Sequence, residues 1–329
     1  MMQSIHFLKV LSTLVISLGF APLVGAQEAL PPLREVEITS SEDGTQQPLL
    51  EWAPVTACEQ PTPVLLFLHS WSGNYRQNNQ KWHAEAVNRG WIFLHPDFRG
   101  PNSTPEACGS RLARRDILDA LEYIRNTYQV DASRVYLAGA SGGGHMALLM
   151  AAYHPEKFSA VSAWVPISDL SSWHAFHTRD GKPGNYARMM EKALSGPPGS
   201  HPEVDAQYHE RSPIHHLDRA VGLPLHIHAG IHDGYTGSVP IDHSLKAYNV
   251  LAQAAGEEPI ADDTIQALLA QGKLPPPSEP SEKFDALYER EIHFHRQAGS
   301  AFVTIFEGGH EGLSHPACAW LELQQRETK

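Results

Sequence analysis

Three residues stand where acyl-transfer chemistry would need them. Ser141 lies in Gly139-Ala140-Ser141-Gly142-Gly143, directly after the apolar run Val135-Tyr136-Leu137-Ala138 and before a helix-like stretch reaching Tyr153. Strand, sharp turn and helix in that order push a serine hydroxyl out of a sheet, near the positive end of the helix. The spelling G-x-S-x-G is common by chance, and the bland reading is a Gly-rich turn with an idle serine. Its setting between a buried strand and a helix is what gives it weight. A serine hydroxyl is a poor nucleophile until a base takes its proton, and the base needs an orienting carboxylate. Both are on offer after later strand-like runs. Asp233 follows LPLHIHAG (223–230), and His310 follows AFVTIFEGG (301–309), in Gly308-Gly309-His310-Glu311-Gly312. Asp242 and Asp169 are rivals to Asp233, since a loop aspartate is commonly only a turn or helix cap.

The same chemistry needs donors for an oxyanion. One is expected from the backbone N–H of Gly142. The other is expected from Trp71, by its position in Leu68-His69-Ser70-Trp71-Ser72-Gly73-Asn74. His69, Trp173, His174 and His177 are candidate pocket residues. Trp173, His174 and His177 equally suit packing an insertion onto the body. The chain has 20 histidines, and His226 and His228 alternate along one strand-like run. Such a pair can bind zinc with a third ligand, but sheet histidines are more often hydrogen-bonded core residues. No metal site and no organic cofactor is expected.

Strands and helices must bring these residues together. REVEITS and QPLLEWAP read as an early hairpin at a sheet edge. PVLLFLH (63–69) is continuously apolar, as a central parallel strand should be. WIFLHP (91–96), the run into Ser141, FSAVSAWVP (158–166), LPLHIHAG and AFVTIFEGG follow as further strands. Helical periods cover 78–89, 111–128, about 240–255 and the C-terminus. Strand and helix alternate from residue 63 on, which predicts an α/β fold: a mostly parallel sheet with helices on both faces. Two stretches break the beat, 168–222 and 256–298. The first carries a helical patch at 186–194. The second carries a helix at 260–271, the breaker PPPSEPS, and a second helix at 283–297, in which His293 and His295 would diverge. Both emerge where strands end and are expected near the active face. No internal repeat is visible, so 27–329 reads as one domain.

Taken together, LFLHSWSG, HPDFRGPN, RVYLAGASGGGHMALLMA, AWVPISDL, HAGIHDG with VPIDHS, and FEGGHEG resemble the α/β-hydrolase superfamily. Within it they resemble the catalytic domain of the prolyl-oligopeptidase-like hydrolases, over roughly residues 63–318. The resemblance implies an α/β-hydrolase fold and a triad of Ser141, Asp233 and His310. Three features depart from the family pattern. His69-Ser70 replaces the usual His-Gly, the segment from Asp233 to Val239-Pro240 is long, and no β-propeller or peptide-gripping Glu-Glu helix is evident. These bear on peptidase activity more than on fold. The expected activity is hydrolysis of a carboxylic ester through an acyl-enzyme, by analogy an acyl group on a polysaccharide. The alternatives are a prolyl-oligopeptidase-type serine peptidase and an inactive hydrolase fold that only binds.

Composition bounds the partners. The formal net charge is −12 and no basic stripe exists, which argues against nucleic acid or an anionic membrane. The expected partner is a small-molecule or polymer-linked ester, or a peptide. The run VLSTLVISLGFAPLV after Lys9, with Val24-Gly25-Ala26, reads as a signal peptide over 1–26 cleaved after Ala26. An uncleaved anchor is the alternative. The protein is therefore expected to be secreted or periplasmic, with no membrane contact after cleavage. Export would permit one disulfide among Cys58, Cys108 and Cys318, and Cys108–Cys318 is the preferred pair because both should follow strand ends near the active face.

Overall fold

Seven buried residues, Thr62–Leu68, form the strand from which the sheet grows in both directions. The computed structural model describes residues 29–274 and 283–327. The leader and PPPSEPS lie outside the described residues. All that follows concerns the unit Pro31–Lys329.

The strands in chain order are β1 (Arg34–Thr39), β2 (Gln46–Trp52), β3 (Thr62–Leu68), β4 (Ile92–Pro96), β5 (Val130–Ala140) and β6 (Ala160–Trp164). They continue with β7 (Thr178–Arg179), β8 (Lys182–Pro183), β9 (Leu225–Gly230), β10 (Phe284–Asp285), β11 (Arg290–Ala298) and β12 (Ala301–Phe306). β7 and β8 pair with each other. Among the described residues the other ten form one sheet in the order β1-β2-β4-β3-β5-β6-β9-β12-β11-β10. The central run from β4 to β12 is parallel, and antiparallel pairs close both edges.

The helices are α1 (Gln80–Arg89), α2 (Arg111–Thr127), α3 (Gly142–Tyr153), α4 (Leu170–Phe176), α5 (Asn185–Leu194), α6 (Pro202–Glu210), α7 (Asp242–Ala254), α8 (Asp262–Gln271) and α9 (Ser314–Glu322). Two local signals set the ends of the early ones. The Ser110 hydroxyl accepts the Ala113 N–H and caps α2, and α1 stops at Gly90 in the left-handed region. The strand period of two then sorts the core into two layers. Val64, Leu66 and Leu68 of β3 face α2, α3 and α7, whereas Leu65 and Phe67 face α1 and α9. The fold is the expected α/β-hydrolase arrangement.

The stretch 168–222 holds α4, the β7–β8 hairpin, α5 and α6 around a third cluster that includes Trp71, Cys108, Trp173, Met190 and Tyr208. Two expectations need correction. The stretch 283–297 is not a helix. It forms β10 and β11, because pairing with β12 satisfies its backbone and a bulge between Ile292 and Phe294 breaks the alternation that would have marked a strand. Nor is there a Cys108–Cys318 disulfide. All three cysteines are free, and these two lie in different hydrophobic clusters, Cys108 beside Trp71 and Cys318 beside α1. Burial pushes the Cys108 thiol up to about 12 and the Cys318 thiol up as well.

Candidate active site

β5 ends at Ala140 and α3 begins at Gly142, so Ser141 alone makes the turn. It does so at φ +59° and ψ −119°, a conformation non-glycine residues rarely hold. Its N–H donates to Trp164 O of β6 and its carbonyl accepts from His145, each at 2.9 Å, which pins the residue to sheet and helix at once. The glycines that follow are required by contact. A Cβ on Gly142 would lie 2.3 Å from the Trp71 nitrogen, and one on Gly143 would lie 2.2 Å from Leu68 O. Only without side chains can α3 start against the loop after β3. That contact brings the Trp71 backbone nitrogen against Gly142, whose N–H, at the first position of the helix, has no partner inside it.

His310 stands in the loop after β12 and joins two elements. Its Nε2 is 2.8 Å from Ser141 Oγ, and its Nδ1 is 2.7 Å from Asp233 Oδ2. Asp233 follows β9, and its side chain is fully buried. Its second oxygen accepts the N–H groups of Gly234 at 2.9 Å and Val239 at 3.1 Å. A carboxylate facing Nδ1 calls for a proton there, which leaves the Nε2 lone pair to accept the serine proton. Ser141, Asp233 and His310 are thus brought into one hydrogen-bonded line. The rivals are elsewhere: Asp169 caps α4 by accepting from Ser171 and Ser172, and Asp242 pairs with Lys246 within α7.

The candidate pocket residues mostly do other work. His69 is fully buried, stacked on Phe98 with ring centres 3.8 Å apart, and its ring nitrogens face the carbonyls of Ser70 and Asp97. Trp173 is fully buried, edge-on to Trp71, and its indole N–H donates to Ser238 O at 2.8 Å. His174 is nearly buried and hydrogen-bonds Glu191 of α5 at 2.8 Å. Neighbouring side chains and backbone bury all three. Half-buried His177 packs on Trp173 and Tyr186 and also meets Ser238 O, at 2.9 Å, while burial lowers its pKa. The insertion is therefore packed onto the body by Trp173 and His177, while His174 ties α4 to α5 within it. His226 and His228 are core residues, bonded to Thr304 and to Tyr288 respectively, with pKa values held well down by burial.

One residue escaped the sequence reading. Ser238 Oγ lies 3.3 Å from His310 Nε2, a second hydroxyl on the same ring nitrogen. Its only sequence signal is a hydroxyl residue just before Val239-Pro240 in the loop that begins at Asp233. Gly237, beside it, must be small, since a Cβ there would lie 2.2 Å from Asp233 Oδ1 and 2.6 Å from His310 Cβ. The arrangement can take a proton from Ser141, hold the resulting imidazolium against a buried carboxylate, and offer backbone N–H groups to a developing oxyanion.

Known proteins share this framework. The model of the prolyl oligopeptidase family matches residues 78–261. Acylamino-acid-releasing enzyme 1 of Oryza sativa subsp. japonica is 26% identical over 209 residues, covering 60% of this chain and 26% of that one. Feruloyl esterase B of Talaromyces stipitatus is 23% identical over 198 residues, covering 57% of this chain and 48% of that one. The chain thus spans less than half the length of either relative. The uncomplexed acylaminoacyl peptidase of Pyrococcus horikoshii superposes with a TM-score of 0.58 at 18% identity, covering 88% of this chain and 40% of that one.

Proposed function

From the premise that this chain belongs to the prolyl oligopeptidase family, a family of serine hydrolases, we propose that it hydrolyses carboxylic esters through an acyl-enzyme on Ser141. The observation that carries the reading is the line Ser141–His310–Asp233, with spacings of 2.8 and 2.7 Å. Ser141 Oγ attacks the carbonyl carbon as its proton passes to His310 Nε2. The N–H groups of Gly142 and Trp71 receive the oxyanion. His310 then protonates the leaving alcohol, and Asp233 holds the imidazolium in place throughout. Water attacks the acyl-enzyme with His310 again as base, and the acid leaves.

Relatives named feruloyl esterase B and acetylxylan esterase A support the ester reading, and they match alongside acylamino-acid-releasing enzymes. The name acetylxylan esterase A also supports an acyl group carried on a polysaccharide. Export fits such a polymer, and the leader ending at Ala26 supports a secreted or periplasmic enzyme. A serine peptidase is the second reading, supported by the 26% identity to an acylamino-acid-releasing enzyme.

The test compares initial rates on p-nitrophenyl butyrate and glycyl-prolyl p-nitroanilide, with Ser141→Ala as control. Ester turnover that disappears in the variant, with the anilide left intact, is the expected result. Comparable anilide cleavage would replace the ester reading with the peptidase one. Turnover surviving in Ser141→Ala would refute both.

A further inference from the structure

The loop from Gly234 to Val239 packs against both Asp233 and His310. The N–H groups of Gly234 and Val239 saturate Asp233 Oδ1, and Gly237 is pressed between Asp233 and His310. The next residue, Ser238, is held at its own backbone. Its carbonyl accepts from the Trp173 indole at 2.8 Å and meets the His177 ring at 2.9 Å, both from α4 or its C-terminal end. Trp173 is fully buried, so this anchor is rigid. Thus the insertion at 168–222 fixes the backbone of a residue whose hydroxyl lies 3.3 Å from His310 Nε2. Ser141 reaches the same nitrogen at 2.8 Å.

One lone pair cannot accept two protons fully, so in the resting protein Ser141, the nearer donor, holds it. Acylation reverses the order. Once Ser141 Oγ is an ester oxygen it has no proton to donate, and among the described residues Ser238 is the hydroxyl left on Nε2. We infer that Ser238 is a positioning residue for deacylation, keeping the His310 ring aligned in the acyl-enzyme until water takes its place. This rests on the acyl-enzyme reading above. In the step itself, water gives a proton to Nε2 as its oxygen bonds the acyl carbon. The proton then returns to Ser141 Oγ as the acyl C–O bond breaks and the acid departs. Ser238 exchanges no proton in the balance. A hydroxyl suits the place because it can donate to neutral Nε2 and accept from Nε2–H.

The test measures both half-reactions of Ser238→Ala and Ser238→Thr on p-nitrophenyl butyrate. Acylation is followed as the first p-nitrophenolate released in stopped flow, and deacylation as loss of the butyryl adduct by intact mass. For Ser238→Ala, deacylation is expected to slow about tenfold, the size of one hydrogen bond to a reacting group. Acylation is expected to stay within about twofold, so kcat and KM fall together and a burst grows. Ser238→Thr, which keeps the hydroxyl, is expected to restore most of the deacylation rate. Equal slowing of both half-reactions, or an unchanged deacylation rate, would overturn the inference. Failure of the reading beneath it looks different: no butyryl adduct would form on the wild type, or Ser141→Ala would still turn over.

Discussion

Acid should destabilise this protein above the pH range in which free carboxylates titrate. His95, His145, His226 and His228 are buried, and desolvation holds each neutral: His95 down to about 3, His145 down to about 4, and the strand pair well below the ordinary value. Their contacts fit neutrality. His95 donates from Nδ1 to Phe67 O and accepts at Nε2 from Asn79, while His145 Nδ1 and His226 Nδ1 have no partner among the described residues. In the unfolded chain each ring titrates near 6.5. A depressed folded pKa means that the unfolded state binds more protons below pH 6.5, so stability falls as pH drops from there towards the folded values. At pH 5.0 the gap is about 1.5 pH units, or about 2 kcal/mol per ring. For His95 and His145, held near 3 and 4, that is about 4 kcal/mol, a large part of the stability of an ordinary domain, and the strand pair acts in the same direction. Asp116 works the other way: burial raises its carboxyl, so it returns some stability as pH falls through its folded value. The assay is urea unfolding followed by tryptophan fluorescence at pH 7.5 and 5.0. A loss of at least several kcal/mol is expected. His95→Gln, which keeps a donor and an acceptor, should shrink the difference by about 2 kcal/mol. Stabilities at the two pH values within about 1 kcal/mol of each other would refute the reasoning.

Two further outcomes follow from the site and the cores. Asp233→Asn would present a donor to His310 Nδ1 and favour the wrong tautomer, so kcat on p-nitrophenyl butyrate should fall about 10³- to 10⁴-fold; a loss under tenfold would move the orienting role to another residue. With three free thiols, of which only Cys58 is exposed, a thiol reagent should titrate one group in the native protein and three in denaturant without reductant. A denatured count of one would show that a disulfide forms after all.

What could be read from the sequence was what is local to the chain. The turn at Ser141 is written in consecutive residues: an apolar run, glycines and a helix. His310 and Asp233 likewise each follow a recognisable strand, and a parallel sheet puts the ends of such strands on one face whatever lies between them. Interactions between distant segments were not written that way. β11 carries Arg290, Glu291, His293 and Arg296, a composition that suits a helix, and only its pairing with β12 makes it a strand. The bulge then sends His293 to Glu307 and His295 to Thr304, so the two diverge on a strand rather than on a helix. His69 illustrates the same limit. Its neighbour by one residue is Ser70, but its ring is enclosed by Phe98 and Asp97, from a different loop.

Ser238 is the instructive case, because its position depends on both kinds of information. Its place in the Asp233 loop is sequential, and that loop was visibly long. Its nearness to His310 depends on two anchors on its carbonyl, from residues 61 and 65 positions away in the insertion. A sequence can mark the residues that end a strand at the active face. It does not mark a hydroxyl that arrives there because a tryptophan from another segment holds its backbone. The parts of this site that tune the chemistry, as distinct from those that define it, are therefore to be sought where the insertion grips the loops of the body.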